Sequence, residues 1–329
     1  MYQTPFHSID LSRYSFLVTG GAGFIGSNIV EYLIKYKAGK VRVLDNLATG
    51  FEQNIATFKG HSNFEFQQGD ICNIEDCNKA MKGIDYVFHQ AALGSVPRSI
   101  ENPIATNNAN VNGFLNILIA ARDASVKRLV YASSSSVYGD SQALPKIENV
   151  IGKPLSPYAV SKLVNEQYAD IFAKTYSMQI VGLRYFNIFG PRQNPKGAYA
   201  AAIPLFMDAL VKGKAPLING DGKQTRDFTF VENAVQANIK AMFSNKDEIS
   251  TEVFNIAVGE RVSINELYSI LKTIAGSTIE AMHREDRAGD VKNSLADISK
   301  AQKMLSYQPA ITCKEGLKIT FDWFKENFK

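Results

Sequence analysis

The chain has 329 residues, 45% hydrophobic and 21% charged, a balance typical of a globular protein rather than a disordered one. At about 150 residues per domain this length predicts two folding units, enough to bury a large core without disulfide or metal support. The 36 basic and 32 acidic residues give a net charge of +4, which is too small for a dedicated nucleic-acid surface.

The first half of the chain alternates strand-like and helical patterns. Short runs rich in β-branched and aromatic residues predict strands over residues 16–19, 41–45, 64–66, 86–88, 128–131 and 180–185. Apolar residues at helical spacing predict helices over residues 25–37, 104–124 and 158–176. Several of the strands are hydrophobic almost throughout, as in a parallel sheet that is buried on both faces. The pattern therefore predicts an α/β fold with a doubly wound parallel (Rossmann) sheet.

The pattern changes after about residue 190. Helices are predicted over residues 201–212, 232–243, 264–275 and 312–328, whereas strands are predicted only over 216–218 and 253–256. We therefore predict a sheet domain over residues 1–190 and a smaller C-terminal lobe over 191–329, with the chain crossing back between them. The lobe is expected over the carboxyl edge of the sheet, where ligands of open α/β sheets bind.

Cysteine and histidine usage predicts no metal centre. Cys72, Cys77 and Cys313 cannot all pair, and we expect free thiols in a reducing compartment. The apolar runs are much shorter than the ~20 residues of a membrane span, and the N-terminus has no run typical of a signal peptide. We therefore expect a cytoplasmic protein without membrane or nucleic-acid partners.

A glycine-rich turn follows the first predicted strand and opens the first predicted helix. The motif is either GxxGxxG, formed by Gly20, Gly23 and Gly26, or GxGxxG starting at Gly21, and Phe24 and Ile25 lie between its last two glycines. Glycines let the backbone turn tightly and approach a pyrophosphate, whose charge then meets the N-terminus of the helix. Its place between a strand and a helix makes this motif a predicted dinucleotide site.

The second predicted strand ends at Asp45, 19 residues after Gly26. A carboxylate there accepts hydrogen bonds from both hydroxyls of the adenosine ribose and repels a 2′-phosphate, so NAD is predicted rather than NADP. Asp70, at the end of the third predicted strand, is expected near the adenine ring. The predicted cofactor site also includes Asn46, Ile71 and Ala91.

Tyr158 and Lys162 are four residues apart on a predicted helix, so both side chains leave one face of it. A free tyrosine has a pKa near ~10 and is a poor base at neutral pH. A nearby ammonium group and the positive nicotinamide are expected to stabilise the phenolate and to lower that pKa. We therefore predict Tyr158 as the catalytic base, with Lys162 supporting it.

These motifs together resemble a known family. The glycine turn, the four serines 133–136, the Tyr158/Lys162 pair and the segment Leu183-Arg184-Tyr185-Phe186-Asn187 resemble an extended short-chain dehydrogenase/reductase, and within that group the nucleotide-sugar 4-epimerases. The resemblance covers roughly residues 14–325. Segments 94–100, 194–199 and 293–297 are similar to those of the UDP-N-acetylglucosamine/galactosamine 4-epimerase branch.

The resemblance implies roles for individual residues. Lys162 would also bind the nicotinamide ribose, and Asn110 would contact NAD. Counting back four residues from Tyr138 matches the family's catalytic Ser/Thr to Ser134, although Ser135 remains an alternative because four serines in a row blur the register. The implied substrate-binding residues, in which the two arginines hold the diphosphate, are Gly94, Ser95, Ser134, Ser135, Asn187, Arg226, Arg287, Asp290 and Ser294.

The resemblance implies reversible 4-epimerisation of a UDP-sugar through a transient 4-keto sugar, with NAD held permanently. UDP-N-acetylglucosamine is the expected substrate, and UDP-glucose, UDP-glucuronate and the uronic acid of the N-acetyl sugar are alternatives. A 4,6-dehydratase is disfavoured because Ser135 and Ser136 stand where those enzymes carry an acidic pair. An NAD-sensing binder without catalysis is the alternative from another class, and the intact Tyr158/Lys162 pair argues against it.

Two further expectations come from the resemblance. The position matching Ser294 resembles a bulky tyrosine in bacterial glucose/galactose epimerases, and a small residue there leaves space for an N-acetyl group. The helices predicted over residues 104–124 and 158–176 resemble a pair that forms a four-helix bundle between subunits in this family, which implies a homodimer.

Overall fold

The structure is a computed structural model, and it describes residues 1–195, 201–245, 247–285 and 293–328. The strands, in chain order, are β1 (Ser15–Thr19), β2 (Lys40–Asp45), β3 (Phe64–Gln68), β4 (Tyr86–His89), β5 (Arg128–Ser134), β6 (Ile180–Tyr185), β7 (Ile188–Phe189), β8 (Leu217–Asn219), β9 (Thr225–Arg226), β10 (Thr229–Phe230), β11 (Val253–Ile256), β12 (Val262–Ser263) and β13 (Met282–Arg284).

The α-helices are α1 (Phe24–Lys35), α2 (Gln53–Ala56), α3 (Ile74–Met81), α4 (Val96–Glu101), α5 (Pro103–Asn107), α6 (Gly113–Asp123), α7 (Pro157–Tyr176), α8 (Ala202–Val211), α9 (Val231–Phe243), α10 (Ile264–Ala275), α11 (Ser299–Leu305) and α12 (Cys313–Asn327). A π-helical turn (Asn108–Asn112) joins α5 to α6, and 3-10 turns lie at Leu11–Arg13, Ser135–Tyr138 and Asp247–Ile249.

Seven strands form the main sheet in the order β11-β6-β5-β4-β1-β2-β3, and every pair in it is parallel. The predicted doubly wound Rossmann sheet is therefore confirmed. The strand order reverses beside β1, so the ends of β1 and β4 flank the crevice where such sheets bind ligands.

Alternate residues of the strands supply two cores, one on each face of the sheet. On β1, Phe16 and Val18 join the core beneath α1 and α9, while Leu17 joins the core beneath α3, α6 and α7. All three side chains are fully buried. This explains the continuous hydrophobic runs in the sequence, because both faces of the sheet are covered by helices.

The C-terminal lobe has a core of its own, built from aromatic and aliphatic side chains of α8, α10 and α12. Three short strand pairs, β7 with β10, β8 with β13 and β9 with β12, bring its loops together beside the edge of the main sheet. Between α8 and α10 the chain returns to the main sheet, where α9 packs against α1 and β11 pairs with β6.

The helix predicted over residues 104–124 is interrupted. The π-helical turn contains Asn108, Asn110 and Asn112, and asparagine favours side-chain bonds to nearby backbone over a regular helix. The buried Asn110 amide donates to Leu93 O at 3.2 Å and accepts from Leu93 N at 2.8 Å. The interruption thus fixes the loop that follows β4.

The predictions also missed α3 and ended the fifth strand too early. Helix α3 has only eight residues and is polar on average, although Cys77, Ala80 and Met81 bury one face of it and Asn73 caps it. Strand β5 continues to Ser134 and carries the first serines of the cluster to the edge of the sheet. Within the described residues, no helix combines the length and the apolar character needed to cross a membrane.

Candidate active site

The glycine turn between β1 and α1 is too tight for side chains. A Cβ on Gly20 would lie 2.7 Å from the Ala91 backbone, and one on Gly26 would lie 2.2 Å from Gly20 O. Gly20 also has a positive φ of 67°. Gly23 precedes α1 and supplies no side-chain cap, so the first N–H groups of the helix are left to a ligand. The turn therefore fits the pyrophosphate of a dinucleotide.

Asp45 and Asp70 lie at the ends of neighbouring strands beside this turn. The carboxylate of Asp45 accepts from Ala22 N at 2.9 Å and from Leu47 N at 2.8 Å. Burial nevertheless raises its pKa. Each Asp45 oxygen uses one hydrogen bond and keeps acceptor capacity for a ribose hydroxyl.

Asp70 accepts from Asn46 Nδ2 at 3.0 Å and from Cys72 N at 2.8 Å. Burial opposes ionisation, but these hydrogen bonds outweigh it and lower the Asp70 pKa. The Asn46–Asp70 bond connects the ends of β2 and β3, and the charged form of the Asp70 carboxylate is favoured beside the predicted adenosine site.

A cavity of about 870 Å³ runs along this edge of the sheet. A volume of that order accommodates a large ligand such as a dinucleotide. It is lined by most of the residues predicted for the cofactor and the substrate: Gly20, Gly23, Phe24, Ile25, Gly26, Asp45, Asn46, Asp70, Ile71, Ala91, Gly94, Ser95, Ser134, Tyr158, Lys162 and Asn187.

A second cavity of about 240 Å³ lies in the C-terminal lobe and contains Arg226. Asn187, Ile188 and Gln193 line both cavities, so the two meet at the loop after β6. Asn187 lies there with a positive φ of 39°, and its amide donates to Asp227 O at 3.0 Å. The predicted diphosphate residue Arg226 therefore lies next to the predicted sugar site.

The three predicted catalytic side chains meet in the larger cavity. Ser156 caps α7 through Ala159 N, and this start of the helix places Tyr158 and Lys162 on the face toward the end of β5. The Ser134 side chain lies close enough to the Tyr158 phenol to act on its pKa. Lys162 is buried, and its ammonium donates to Ala132 O at 2.7 Å.

The Tyr158 pKa differs from the expectation. Burial raises the pKa of Tyr158 above its ordinary value, and the interaction with the Ser134 side chain opposes that rise without reversing it. Burial also lowers the Lys162 pKa to about 8, although the charge of Glu166 opposes this change. Lys162 Nζ lies 6.0 Å from the centre of the Tyr158 ring. The chain's own groups, Lys162 included, therefore do not lower the Tyr158 pKa below its ordinary value. Of the two cations expected to do so, the ammonium and the nicotinamide, the nicotinamide is the one still needed.

The structure distinguishes the neighbouring serines. Ser134 ends β5 and lines the cavity, whereas Ser135 begins a 3-10 turn and is not among the described residues that line it. Ser133 also lines the cavity, but its hydroxyl donates to the buried Glu166 Oε1 at 2.5 Å. The geometry thus supports Ser134 as the partner of Tyr158.

Several predicted site residues line neither cavity or lie outside the described residues. Asn110 uses its amide on Leu93 and Ser161, so it shapes the loop after β4 rather than lining the larger cavity. Ser294 is partly buried beside β9, where its N–H donates to Thr225 O at 3.1 Å. Arg287 and Asp290 lie outside the described residues, as do residues 196–199 of the segment 194–199.

Asp227 is a fully buried residue that the sequence did not single out. Its carboxylate accepts from Val258 N and Gly259 N at 3.0 Å each and from Ala296 N at 3.4 Å. Burial raises its pKa to about 6 despite these bonds. Asp227 joins the strand that carries Arg226 to two distant loops, and partners more than 30 residues away leave no local signal in a sequence.

Comparisons with known proteins agree with this geometry. Residues 16–257 match the NAD dependent epimerase/dehydratase family. A putative UDP-glucose 4-epimerase of Methanocaldococcus jannaschii is 41% identical over 94% of this chain and 98% of its own. The structure of a UDP-N-acetylglucosamine 4-epimerase from Methanobrevibacter ruminantium, in complex with UDP-N-acetylmuramic acid, is 39% identical with a TM-score of 0.91, covering 96% of this chain and 99% of its own.

A third relative carries the cofactor. The UDP-glucuronic acid 4-epimerase from Bacillus cereus, solved with UDP-glucuronic acid and NAD, is 33% identical with a TM-score of 0.89, covering 95% of this chain and all of its own. The cofactor of this family is NAD, as the glycine turn and Asp45 predicted.

A first prediction concerns the glycine turn. Gly26→Ala places a methyl group against the Gly20 carbonyl, so the turn must open and lose its fit to the pyrophosphate. We expect at least about tenfold weaker NAD binding, measured as NAD released from purified, denatured protein and by titration. Gly60→Ala is the control, because a Cβ there meets nothing within 4 Å. Normal NAD content in Gly26→Ala would contradict the assignment.

A second prediction concerns the charge of Asp227. Because its folded pKa of about 6 lies above the ordinary 3.8, ionisation opposes folding, and this contribution to stability is lost as pH rises from about 4 to 6. The slope is at most about 1.4 kcal/mol per pH unit. Urea unfolding of the parent and of Asp227→Asn should therefore show the variant gaining relative stability over that range. A constant difference between the two would disprove the raised pKa.

Proposed function

This chain belongs to the NAD dependent epimerase/dehydratase family, and we propose that it is a UDP-sugar 4-epimerase that interconverts UDP-N-acetylglucosamine and UDP-N-acetylgalactosamine. The observation that carries the proposal is the position of Tyr158 and Ser134, at one end of a dinucleotide-sized cavity that continues into the cavity containing Arg226. A sugar held from the Arg226 side would thus reach Tyr158.

NAD is proposed to bind along the larger cavity. The N-terminus of α1 and the glycine turn would take the pyrophosphate, and Asp45 and Asp70 would take the adenosine. Lys162 would bind the nicotinamide ribose, and Asn110 would hold the loop after β4 against the cofactor. When bound, NAD supplies an acceptor for the C4 hydride of the sugar and a donor that returns it.

The chain's own residues handle the proton. Tyr158, once ionised, removes the proton from the sugar O4, and Ser134, whose side chain interacts with the same phenol, would order the path of that proton. The proton returns from Tyr158 when the other face of the sugar is presented. The Lys162 ammonium stabilises the negative charge of the Tyr158 phenolate throughout.

The substrate is proposed to be held firmly at the diphosphate and loosely at the sugar. Arg226 is assigned to the diphosphate together with Arg287 and Asp290. Asn187 and the pair Gly94 and Ser95, which line the larger cavity, are assigned to the sugar, whereas Ser135 is not among the described residues that line it. This division lets the 4-keto sugar turn while the nucleotide stays bound.

The N-acetylated sugar is favoured by Ser294. Its backbone bond to Thr225 places this small side chain beside the strand that carries Arg226. The relatives are described as acting on UDP-glucose, UDP-N-acetylglucosamine and UDP-glucuronate, so the family alone leaves the sugar open. A dehydratase remains disfavoured because Ser135 and Ser136 provide no acidic pair.

Tyr158→Phe tests the base. Removing the phenolic oxygen should reduce turnover by at least about 100-fold, the usual scale for a positioned acid/base group, while NAD content stays near that of the parent. Turnover is measured by proton NMR of the sugar products without added NAD. A variant that stays within a few-fold of the parent would show that Tyr158 is not the base.

The substrate is tested by offering UDP-N-acetylglucosamine, UDP-glucose, UDP-glucuronate and UDP-N-acetylglucosaminuronate to the same protein. We expect the first to be epimerised with the highest kcat/KM. Ser294→Tyr should abolish turnover of the N-acetylated sugars while turnover of UDP-glucose survives or rises, since steric overlap in a packed site costs about 1–3 kcal/mol. Ser294→Ala is the matched control, and an equal loss on all sugars in Ser294→Tyr would refute the specificity role.

A further inference from the structure

Three turns of α7 face the end of β5 in a continuous contact. Tyr158, Lys162 and Glu166 are spaced four residues apart and so share one face of the helix. Each acts on a different residue of β5: the phenol lies close enough to the Ser134 side chain for the two to interact, the ammonium donates to Ala132 O, and the carboxylate accepts from the Ser133 hydroxyl. Glu166 therefore belongs to the same helix face as the proposed base.

The Glu166 carboxylate is held in a fixed orientation. Arg184 Nε donates to Oε1 at 2.9 Å and Arg184 Nη2 donates to Oε2 at 2.7 Å, and these side chains are 5% and 8% exposed. The remaining contacts of Arg184 are with Glu148 O at 2.9 Å and with the Tyr138 ring at 4.9 Å. A buried two-point ion pair of this kind fixes geometry as well as charge.

We propose, on the basis of the epimerase function proposed above, that Glu166 is a positioning residue: its buried carboxylate keeps the Lys162 ammonium charged beside Tyr158 and fixes the strand end that carries Ser134. Lys162 is buried, and an isolated buried ammonium loses its proton readily. A carboxylate one helical turn away offsets that tendency.

The other ionisable groups around this helix face do not supply that charge. His89 of β4 is neutral, because burial lowers its pKa to about 3. Tyr131 of β5 and Tyr138 of the following turn are protonated, because burial raises the pKa of each. Arg98 of α4, which lines the cavity and donates to Gly94 O, is a cation.

Arg184 of β6 is a cation as well, and it already pairs with Glu166. Among the described residues, Glu166 is the carboxylate that raises the Lys162 pKa against the effect of burial. Without that carboxylate the Lys162 pKa should fall below about 8, so the ammonium would be lost nearer neutral pH. The Tyr158 phenolate would then lose the charge of Lys162, whose Nζ lies 6.0 Å from the centre of the Tyr158 ring.

The test compares Glu166→Gln with the parent holoenzyme. On the basic limb of the pH profile, kcat of Glu166→Gln should fall at a pH about one unit lower than kcat of the parent. One unit is about the lower end of the pKa shift that a neighbouring opposite charge causes. Glu166→Asp keeps the charge and should keep the limb. Glu148→Gln is the matched control: Glu148 is equally buried and accepts from Asn255 N at 2.9 Å, but it does not act on Lys162.

A second variant and a second readout keep the test decisive. If the unpaired Arg184 prevents Glu166→Gln from folding, the double variant Glu166→Gln/Arg184→Met removes both members of the ion pair, so that Arg184 is not left buried without its partner. The ionisation of Tyr158 is measured without substrate, as tyrosinate absorbance of the NAD-loaded protein minus that of Tyr158→Phe. We expect the Tyr158 transition to move to higher pH when Glu166 is replaced by Gln.

The outcomes separate the two proposals. An unchanged basic limb and an unchanged Tyr158 transition in Glu166→Gln, with only lower stability, would overturn the positioning role and leave Glu166 purely structural. If the parent protein epimerises none of the four UDP-sugars, the proposed function is wrong. A Tyr158 transition that still shifts in Glu166→Gln would then support the link between Glu166 and Lys162 on its own.

Discussion

The parallel direction of the strands is the constraint on which the rest of the structure depends. Because every pair in the main sheet is parallel, the carboxyl ends of β1, β2, β4, β5 and β6 all lie along one edge. That edge brings together the glycine turn, Asp45 and Ser134, which are far apart in the chain. An antiparallel strand in the middle of the sheet would send one of these groups to the opposite edge.

Ionisable groups buried at this edge make the site sensitive to its surroundings. Burial lowers the Lys162 pKa and raises those of Tyr158 and Asp227, in each case because the charged form loses its hydration. A group in this state responds strongly to a single neighbouring charge, as Lys162 does to Glu166. Such groups seldom improve stability, so their presence here is more readily explained by chemistry than by folding.

Most of the site residues that the sequence predicted were predicted from short local motifs. The glycine turn, Asp45 and the Tyr158/Lys162 pair each lie within one βα unit, where spacing along the chain translates directly into spacing in space. The pKa of Tyr158 could not be predicted in this way, since its direction depends on how far the surrounding elements bury the ring. The serine register also stayed open, because the residue at which β5 ends is decided by its pairing with β6.

Hydrogen bonds between residues far apart in the chain could not be predicted from the sequence. Asp227 bonds backbone N–H groups 31 and 32 residues away, and Asn255 bonds the carbonyls of Lys146 and Asp297, which lie far from it on either side in the chain. No periodicity records such pairs. The π-helical turn at Asn108–Asn112 was missed for a related reason, since the partner that holds Asn110 comes from the loop after β4.

These long-range ties also bear on how a sugar could turn between two bound orientations. From Ser133 a buried chain of hydrogen bonds runs through Glu166 and Arg184 to Glu148, whose carboxylate accepts from Asn255 N. Asn255 in turn donates to Asp297 O, three residues beyond Ser294. The strand end that carries Ser134 and the segment that carries Ser294 are thus joined through groups that each have a hydrogen-bond partner. In the reaction proposed above, this network would hold the two segments in place while a sugar tethered at its diphosphate turned in the space between the two cavities.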